Sequence, residues 1–99
     1  MTRIFYRGAH VIFLTYDVTR DETFVNATEW LQEIKNHATS QTIVYLIGNK
    51  AEAEEEREVT FERALDFARA HNISKCFETS AKTGMNVEEM FACALKEVH

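Results

Sequence analysis

Residues 43–52 read IVYLIGNKAE, a stretch that joins an apolar run to a polar loop. Its first five side chains are apolar or aromatic, and this composition is typical of a strand that is covered on both faces. Gly48 then allows a sharp turn into the loop, because glycine tolerates backbone conformations that other residues avoid. Strands covered on both faces belong mostly to parallel sheets, so this stretch predicts an α/β fold.

Two further strands and three helices surround this stretch. Residues 9–16, AHVIFLTY, repeat the buried-strand composition, and residues 75–79 form a shorter third strand. Apolar side chains that recur every three or four residues predict three helices, which begin near Asp21, Thr60 and Asn86. Asn86 and Glu89 have the spacing of a capping box. The order predicts three parallel strands alternating with three helices in one domain, residues 1–99.

Composition and charge limit the function classes. A chain of 99 residues with 45% apolar side chains can fill one core, so a second domain is not expected. Its 11 basic and 16 acidic side chains give a net charge of −5, which repels phosphate backbones, and no basic stripe offsets it. We therefore expect no nucleic-acid partner.

The residue types that hold metals or form disulfides are sparse. Cys76 and Cys93 do not form a CxxC pair, and they are expected to be reduced thiols among core residues, as in a cytosolic protein. The acidic run at residues 54–58 lacks the alternating ligands of a calcium loop. The histidines lie far apart without metal-ligand spacing: they are His10, His37, His71 and His99. We expect no metal ligand in this chain.

Polar loops follow the second and third predicted strands, where open α/β sheets bind their ligands. The first loop carries Asn49-Lys50-Ala51-Glu52, and the second carries Ser80-Ala81-Lys82. With these motifs in register on strand ends, the whole chain resembles the Rab branch of the Ras-like small GTPases. Further matching segments are Phe5-Tyr6-Arg7-Gly8-Ala9, Tyr16-Asp17-Val18-Thr19 and Trp30-Leu31. The resemblance implies a partial P-loop GTPase fold (G domain), of which residues 1–99 are the guanine-recognition half.

The resemblance assigns six residues to guanine: Asn49, Lys50, Glu52, Ser80, Ala81 and Lys82. Glu52 would accept two N–H groups of the base in a fork, and the backbone N–H of Ala81 would bond the guanine oxygen. Lys50 and Lys82 would cover the two faces of the ring. Asn49 would hold the loop or reach the acceptor edge of the base.

Glu52 departs from the family pattern, which has Asp at this position. The extra methylene displaces the fork by roughly 1.5 Å, a carbon–carbon bond length, and a misplaced fork weakens the preference for guanine over adenine. Two interpretations stay open. Glu52 reads the base, or it begins the solvated acidic run of Glu54, Glu55, Glu56 and Glu58.

The 99 residues contain no phosphate-binding motif. The loop G-x-x-x-x-G-K-[ST] needs two glycines five apart, and Gly8, Gly48 and Gly84 do not have that spacing. The sequence Asp-x-x-Gly, which the resemblance links to magnesium and water, is also missing. We therefore expect no catalytic residue, weak or absent binding of GTP or GDP by this chain alone, and Mg²⁺ only where the other half of the domain is present.

The resemblance also predicts a bare sheet edge. In the family, the strand at residues 11–16 pairs with the strand that bears the phosphate loop. Without that neighbour, unpaired N–H and C=O groups are a template for association. We expect an edge-to-edge dimer, a partly molten monomer or aggregation.

Partners and location follow from the same resemblance. The family implies Rab effectors or regulators as partners, near residues 5–8 and the partly exposed Trp30, and a role in intracellular vesicle transport at endomembranes. The chain ends at His99 without a cysteine motif for prenylation, so we expect a cytoplasmic protein without a membrane anchor. The alternative function is a non-catalytic interaction module that binds Rab effectors or regulators.

Overall fold

A four-stranded sheet forms the centre of the protein, whose computed structural model describes residues 2–6, 9–37, 42–73 and 75–98. The strands are β1 Thr2–Tyr6, β2 Ala9–Asp17, β3 Thr42–Asn49 and β4 Lys75–Glu78. They lie in the order β1-β2-β3-β4, and β2, β3 and β4 run parallel. The three predicted parallel strands are confirmed.

Three helices alternate with the parallel strands, as predicted. They are α1 Asp21–His37, α2 Phe61–Ala70 and α3 Val87–Val98, and a short 3₁₀ turn, Glu54–Glu56, precedes α2. The predicted cap of α2 is confirmed, because the Thr60 hydroxyl accepts a hydrogen bond from the backbone N–H of Arg63. The predicted capping box of α3 is wrong. Asn86 has a φ of 61°, and its side-chain amide donates to the carbonyl oxygen of Glu78 at 2.8 Å, which ties α3 to the end of β4.

The first strand, β1, was not predicted. It runs antiparallel to β2, with a register from Thr2 opposite Phe13 to Tyr6 opposite Ala9. The expectation of a bare edge is therefore wrong for residues 9–13 of β2, because β1 supplies their backbone partners. Residues 14–17 of β2 have no strand beside them on that edge among the described residues. Self-association through an edge stays a prediction.

Gly48 lies inside β3 and does not form the predicted turn. The strand continues to Asn49, and Gly48 stands in register with Tyr16 of β2 and Glu78 of β4. A Cβ atom at this position would lie 2.6 Å from the Tyr16 hydroxyl oxygen and 2.8 Å from its Cζ. Glycine is required here because the ring of Tyr16 lies against its backbone.

The sheet separates two hydrophobic cores. On one face, Leu14 and Tyr16 of β2 pack with buried side chains of α1 and α2. On the other face, Val11 and Phe13 of the same strand pack with Met90 of α3. The alternation along β2 is that of a strand covered on both sides. Two helices cover the first face, whereas α3 is the helix that covers the second in the described part of the chain.

Individual side chains mostly lie where the sequence placed them. Phe24 is buried in the first core, and Trp30 is 52% exposed, as expected. Cys76 and Cys93 are free and half-buried, and each packs against one core. Burial, with a smaller contribution from Glu78, raises the pKa of the Cys76 thiol to about 11. This thiol therefore stays protonated and unreactive at neutral pH.

Candidate functional site

Two loops meet at the carboxyl ends of β3 and β4: the first loop is residues 50–53 and the second loop is residues 79–83. Backbone hydrogen bonds join them directly. The N–H of Thr79 donates to the carbonyl oxygen of Gly48 at 2.7 Å, and the N–H of Ala51 donates to the carbonyl oxygen of Thr79 at 3.1 Å. The parallel pairing of β3 and β4 thus brings the two sequence motifs side by side.

Glu52 links the first loop to the second. Its side chain is exposed, but Oε1 accepts a hydrogen bond of 2.5 Å from the Ser80 hydroxyl. Ser80 is fully buried, and its oxygen also accepts from the backbone N–H of Thr83 at 3.1 Å. One hydroxyl therefore fixes both the turn of the second loop and the direction of the carboxylate. The role of Glu52 towards the base stays a prediction.

Asn49 and Lys50 shape the first loop. Asn49 Oδ1 accepts from the backbone N–H of Lys50 at 2.9 Å, and its carbonyl oxygen accepts from Val18 at 3.0 Å, so Asn49 holds the loop in place. Lys50 adopts a φ of 62°, in the left-handed region that non-glycine residues seldom occupy. Its ammonium group lies 3.0 Å from Asp17 Oδ2. Strained backbone of this kind is often found at functional sites.

Asp17, at the end of β2, is a member of the site that sequence reasoning did not assign. Its carboxylate accepts from the backbone N–H of Thr19 at 2.9 Å and from the Thr19 hydroxyl at 2.6 Å, besides its ion pair with Lys50. Burial disfavours the charged form, but the bonds from Thr19 and Lys50 outweigh it and lower the pKa of Asp17. A charged Asp17 thus directs Lys50 across the tip of the sheet.

An ion pair fixes the strand that leads into the second loop. Arg57 donates to both carboxylate oxygens of Glu78, at 2.6 and 2.8 Å, and also to the carbonyl oxygen of Val59 at 2.9 Å. Hydrogen bonding to Glu78 is the main cause that raises the pKa of the Arg57 guanidinium. Sequence reasoning missed this pair, because the two residues lie 21 positions apart and the only signal was an arginine within an acidic run.

A cavity of about 240 Å³ opens beside the loops, between the ends of β2 and β3 and the first turns of α3. Asn49, Thr79 and Ala81 lie at its polar side, and Phe13 and Phe91 are among its apolar walls. An apolar cleft with a few polar groups at one side suits a flat heterocyclic ligand. Of the six residues that the resemblance assigns to guanine, Asn49 and Ala81 line this cavity, and Lys50, Glu52, Ser80 and Lys82 do not.

The described residues contain no cluster of three or more His, Cys, Asp or Glu side chains that could hold a metal ion. His10, His37 and His99 have side chains outside the described set. None of the described helices combines the length and apolar character that crossing a bilayer requires.

Comparisons with known proteins point to the same family as the sequence motifs. The family model described as Ras family matches residues 1–99. The chain is also 38% identical over 98 residues to the Ras-related protein Rab-19 of Mus musculus. That match covers 99% of this chain and 45% of the mouse protein. The chain thus spans about half the length of the curated relative that it matches.

Proposed function

Because this chain belongs to the Ras family of small GTPases and is of the Rab type, we propose that its two loops are the guanine-recognition half of a nucleotide site. The observation that carries the proposal is the contact between Glu52 and Ser80 across the two joined loops. A carboxylate oxygen can accept more than one hydrogen bond, so Ser80 leaves acceptor capacity for the two N–H groups of guanine. In this proposal, the backbone N–H of Ala81 donates to the guanine oxygen.

The remaining residues have supporting roles in this proposal. Lys50 covers one face of the base with its aliphatic stem, directed by Asp17, and Lys82 covers the other. Asn49 holds the first loop through its side-chain oxygen. Base contacts of this kind give roughly −4 kcal/mol, which corresponds to millimolar affinity. We infer that the 99-residue chain binds GTP or GDP weakly, and that hydrolysis and Mg²⁺ binding require the other half of the domain.

The test measures base preference rather than affinity alone. The purified chain is titrated with GDP and with ADP under nuclear magnetic resonance, and phosphate release from GTP is followed separately. We expect millimolar binding that favours GDP, with shifts confined to the two loops, and no phosphate release. A micromolar dissociation constant, or steady phosphate release, would contradict the proposal.

Variants of Glu52 sharpen this test. Glu52→Asp returns the carboxylate to the distance typical of the family and is expected to raise the preference for GDP over ADP by about 5- to 150-fold, as one bidentate base contact would. Glu52→Gln places a donor against the guanine N–H groups and is expected to abolish the preference. Glu55→Gln, in the exposed acidic turn, is the matched control and should change nothing. Equal preference in all four chains would remove Glu52 from the site.

The whole Rab-type protein is proposed to act in intracellular vesicle transport at endomembranes, from the cytoplasm. The alternative, an interaction module for Rab effectors or regulators, is favoured by one observation, the 52% exposure of Trp30 on α1. In that case, immobilised chain should capture family effectors or regulators, and Trp30→Ala should abolish capture. Val25→Ala, at a comparably exposed position of the same helix, should have no effect. Capture that is unchanged by Trp30→Ala would exclude this residue.

A further inference from the structure

The second loop is held in shape by hydrogen bonds across it more than by burial. Residues 81–85 are exposed to solvent, whereas Ser80 is fully buried. The N–H of Ser80 donates to the carbonyl oxygen of Met85 at 3.2 Å, and its own carbonyl oxygen accepts from the N–H of Gly84 at 2.7 Å. An exposed loop with few apolar contacts keeps its shape only while such bonds stay formed. The position of Ser80 therefore depends on how the loop is closed.

Asn86 closes this loop at its base. Its side-chain amide donates at 2.8 Å to the carbonyl oxygen of Glu78, the last residue of β4. This bond lies next in sequence to the one between Ser80 and Met85. Asn86 also begins α3, because its carbonyl oxygen accepts from the N–H of Met90 at 3.0 Å. One residue thus joins the end of β4, the base of the loop and the start of α3.

The residue type at position 86 meets two requirements at once. Its φ of 61° lies in the left-handed region, where asparagine is among the few side chains that are tolerated. The carbonyl oxygen of Glu78 accepts from a donor, which an amide supplies and a carboxylate does not. Glycine would adopt the backbone conformation but would have no amide. Asn72 has a similar φ of 57° but precedes β4, at the opposite end of that strand from the second loop, and so provides a matched control.

We propose that Asn86 is a positioning residue of the proposed guanine site. Its amide closes the second loop, the closed loop sets the direction of the Ser80 hydroxyl, and that hydroxyl holds Oε1 of Glu52 at 2.5 Å. This role rests on the proposed function, because it concerns how Glu52 is aimed at the base. Helix α3 does not depend on this bond alone, since Met90 and Ala94 bury it against the sheet. Loss of the amide should therefore act on the loop.

Nuclear magnetic resonance of the full chain tests this role. Asn86→Gly keeps the backbone conformation accessible, and Asn86→Asp keeps the size but replaces the donor with an acceptor. In both variants, the Ser80 and Gly84 amides should exchange hydrogen about 2- to 13-fold faster, as the loss of one hydrogen bond implies. The preference for GDP over ADP should fall by a similar factor. The affinity for ADP should stay the same, because adenine lacks the N–H groups that the Glu52 fork accepts. Asn72→Gly should alter none of these quantities.

A double variant shows whether Asn86 acts through Glu52. Glu52→Gln already removes the preference for GDP, so adding Asn86→Gly should not change the ratio of the GDP and ADP affinities. A further change in that ratio would place the effect of Asn86 elsewhere and overturn the proposal.

The outcomes distinguish this role from the proposed function. Unchanged exchange at Ser80 and Gly84 overturns the role of Asn86, as does faster exchange with an unchanged preference, while a preference for GDP in the unaltered chain keeps the proposed function. An equal loss of GDP and ADP affinity would show a general loss of structure and would also overturn this role. An unaltered chain without any preference for GDP refutes the proposed function, and the role of Asn86 with it. Circular dichroism melting of each variant confirms that the chains compared are folded.

Discussion

Replacing Arg57 with methionine is expected to lower the free energy of unfolding by about 3–5 kcal/mol. The side chains of Arg57 and Glu78 are only 13% and 15% exposed, and they are joined by two hydrogen bonds. Methionine would fill part of the space but would leave the Glu78 carboxylate poorly solvated and without its partner. Removing one member of such a pair costs far more than the pair itself contributes.

Urea denaturation and thermal melting measure this loss. For a chain of this size, we expect a melting temperature lower by at least about 12 °C. Arg20→Met is the matched control, because its ion pair with Glu22 is 60% and 65% exposed, and it should change the stability by under about 1 kcal/mol. Adding Glu78→Leu to Arg57→Met removes the orphaned charge and should recover much of the loss. A change of under about 1 kcal/mol in Arg57→Met would show that water reaches this pair freely.

Replacing Gly48 with alanine is expected to destabilise the chain by about 1–3 kcal/mol, although alanine is normally favoured over glycine within a strand. The added Cβ would lie 2.6 and 2.8 Å from two atoms of Tyr16 and 3.0 Å from a methyl carbon of Val18. Tyr16 is itself 3% exposed, so its ring has little room to withdraw. Either the ring or the end of β3 must move, and β3 leads straight into Asn49.

A double-mutant cycle identifies the cause. Tyr16→Leu removes the ring and its hydroxyl, which is buried without a hydrogen-bond partner among the described residues. In that background the Gly48→Ala loss should shrink, with a coupling energy of about 0.5–3 kcal/mol from urea denaturation. Gly84→Ala is the control, since its Cβ would meet no atom of the described residues within 4 Å and its loss comes from a φ of 78°. Additive losses for Gly48→Ala and Tyr16→Leu would contradict the steric explanation.

Local patterns in the sequence were enough to predict the three parallel strands, the three helices and the proximity of the two loops. Burial of every side chain from residue 45 to 47 is a local property of composition, and parallel strands must end at the same edge. Gly48 was misassigned because glycine serves both turns and close contacts, and the ring that selects it lies 32 positions earlier. The ion pair between Arg57 and Glu78 is likewise a contact between residues far apart in the sequence, so no local pattern predicts it.

The strand β1 and the loop contacts were not predicted because they depend on the assembled sheet. Residues 2–6, TRIFY, alternate too weakly to predict a strand, and their pairing with β2 depends on an edge that only the assembled sheet creates. The predicted capping box at Asn86 was wrong because its side-chain amide donates to a carbonyl oxygen of β4 rather than serving its own helix. For the candidate site, the motifs predicted the residues, and the structure adds how Ser80 and Asp17 direct Glu52 and Lys50.

The partial cover of β2 determines how a further strand would join this sheet. An incoming segment would first pair with residues 14–17, which end beside Asn49 and the first loop. It would then replace β1 along β2 one residue pair at a time, and each step would exchange one backbone hydrogen bond for another. Each exchange is nearly neutral in energy. The pairing at residues 14–17 and the side chains of the incoming segment would therefore decide whether β1 stays paired with β2.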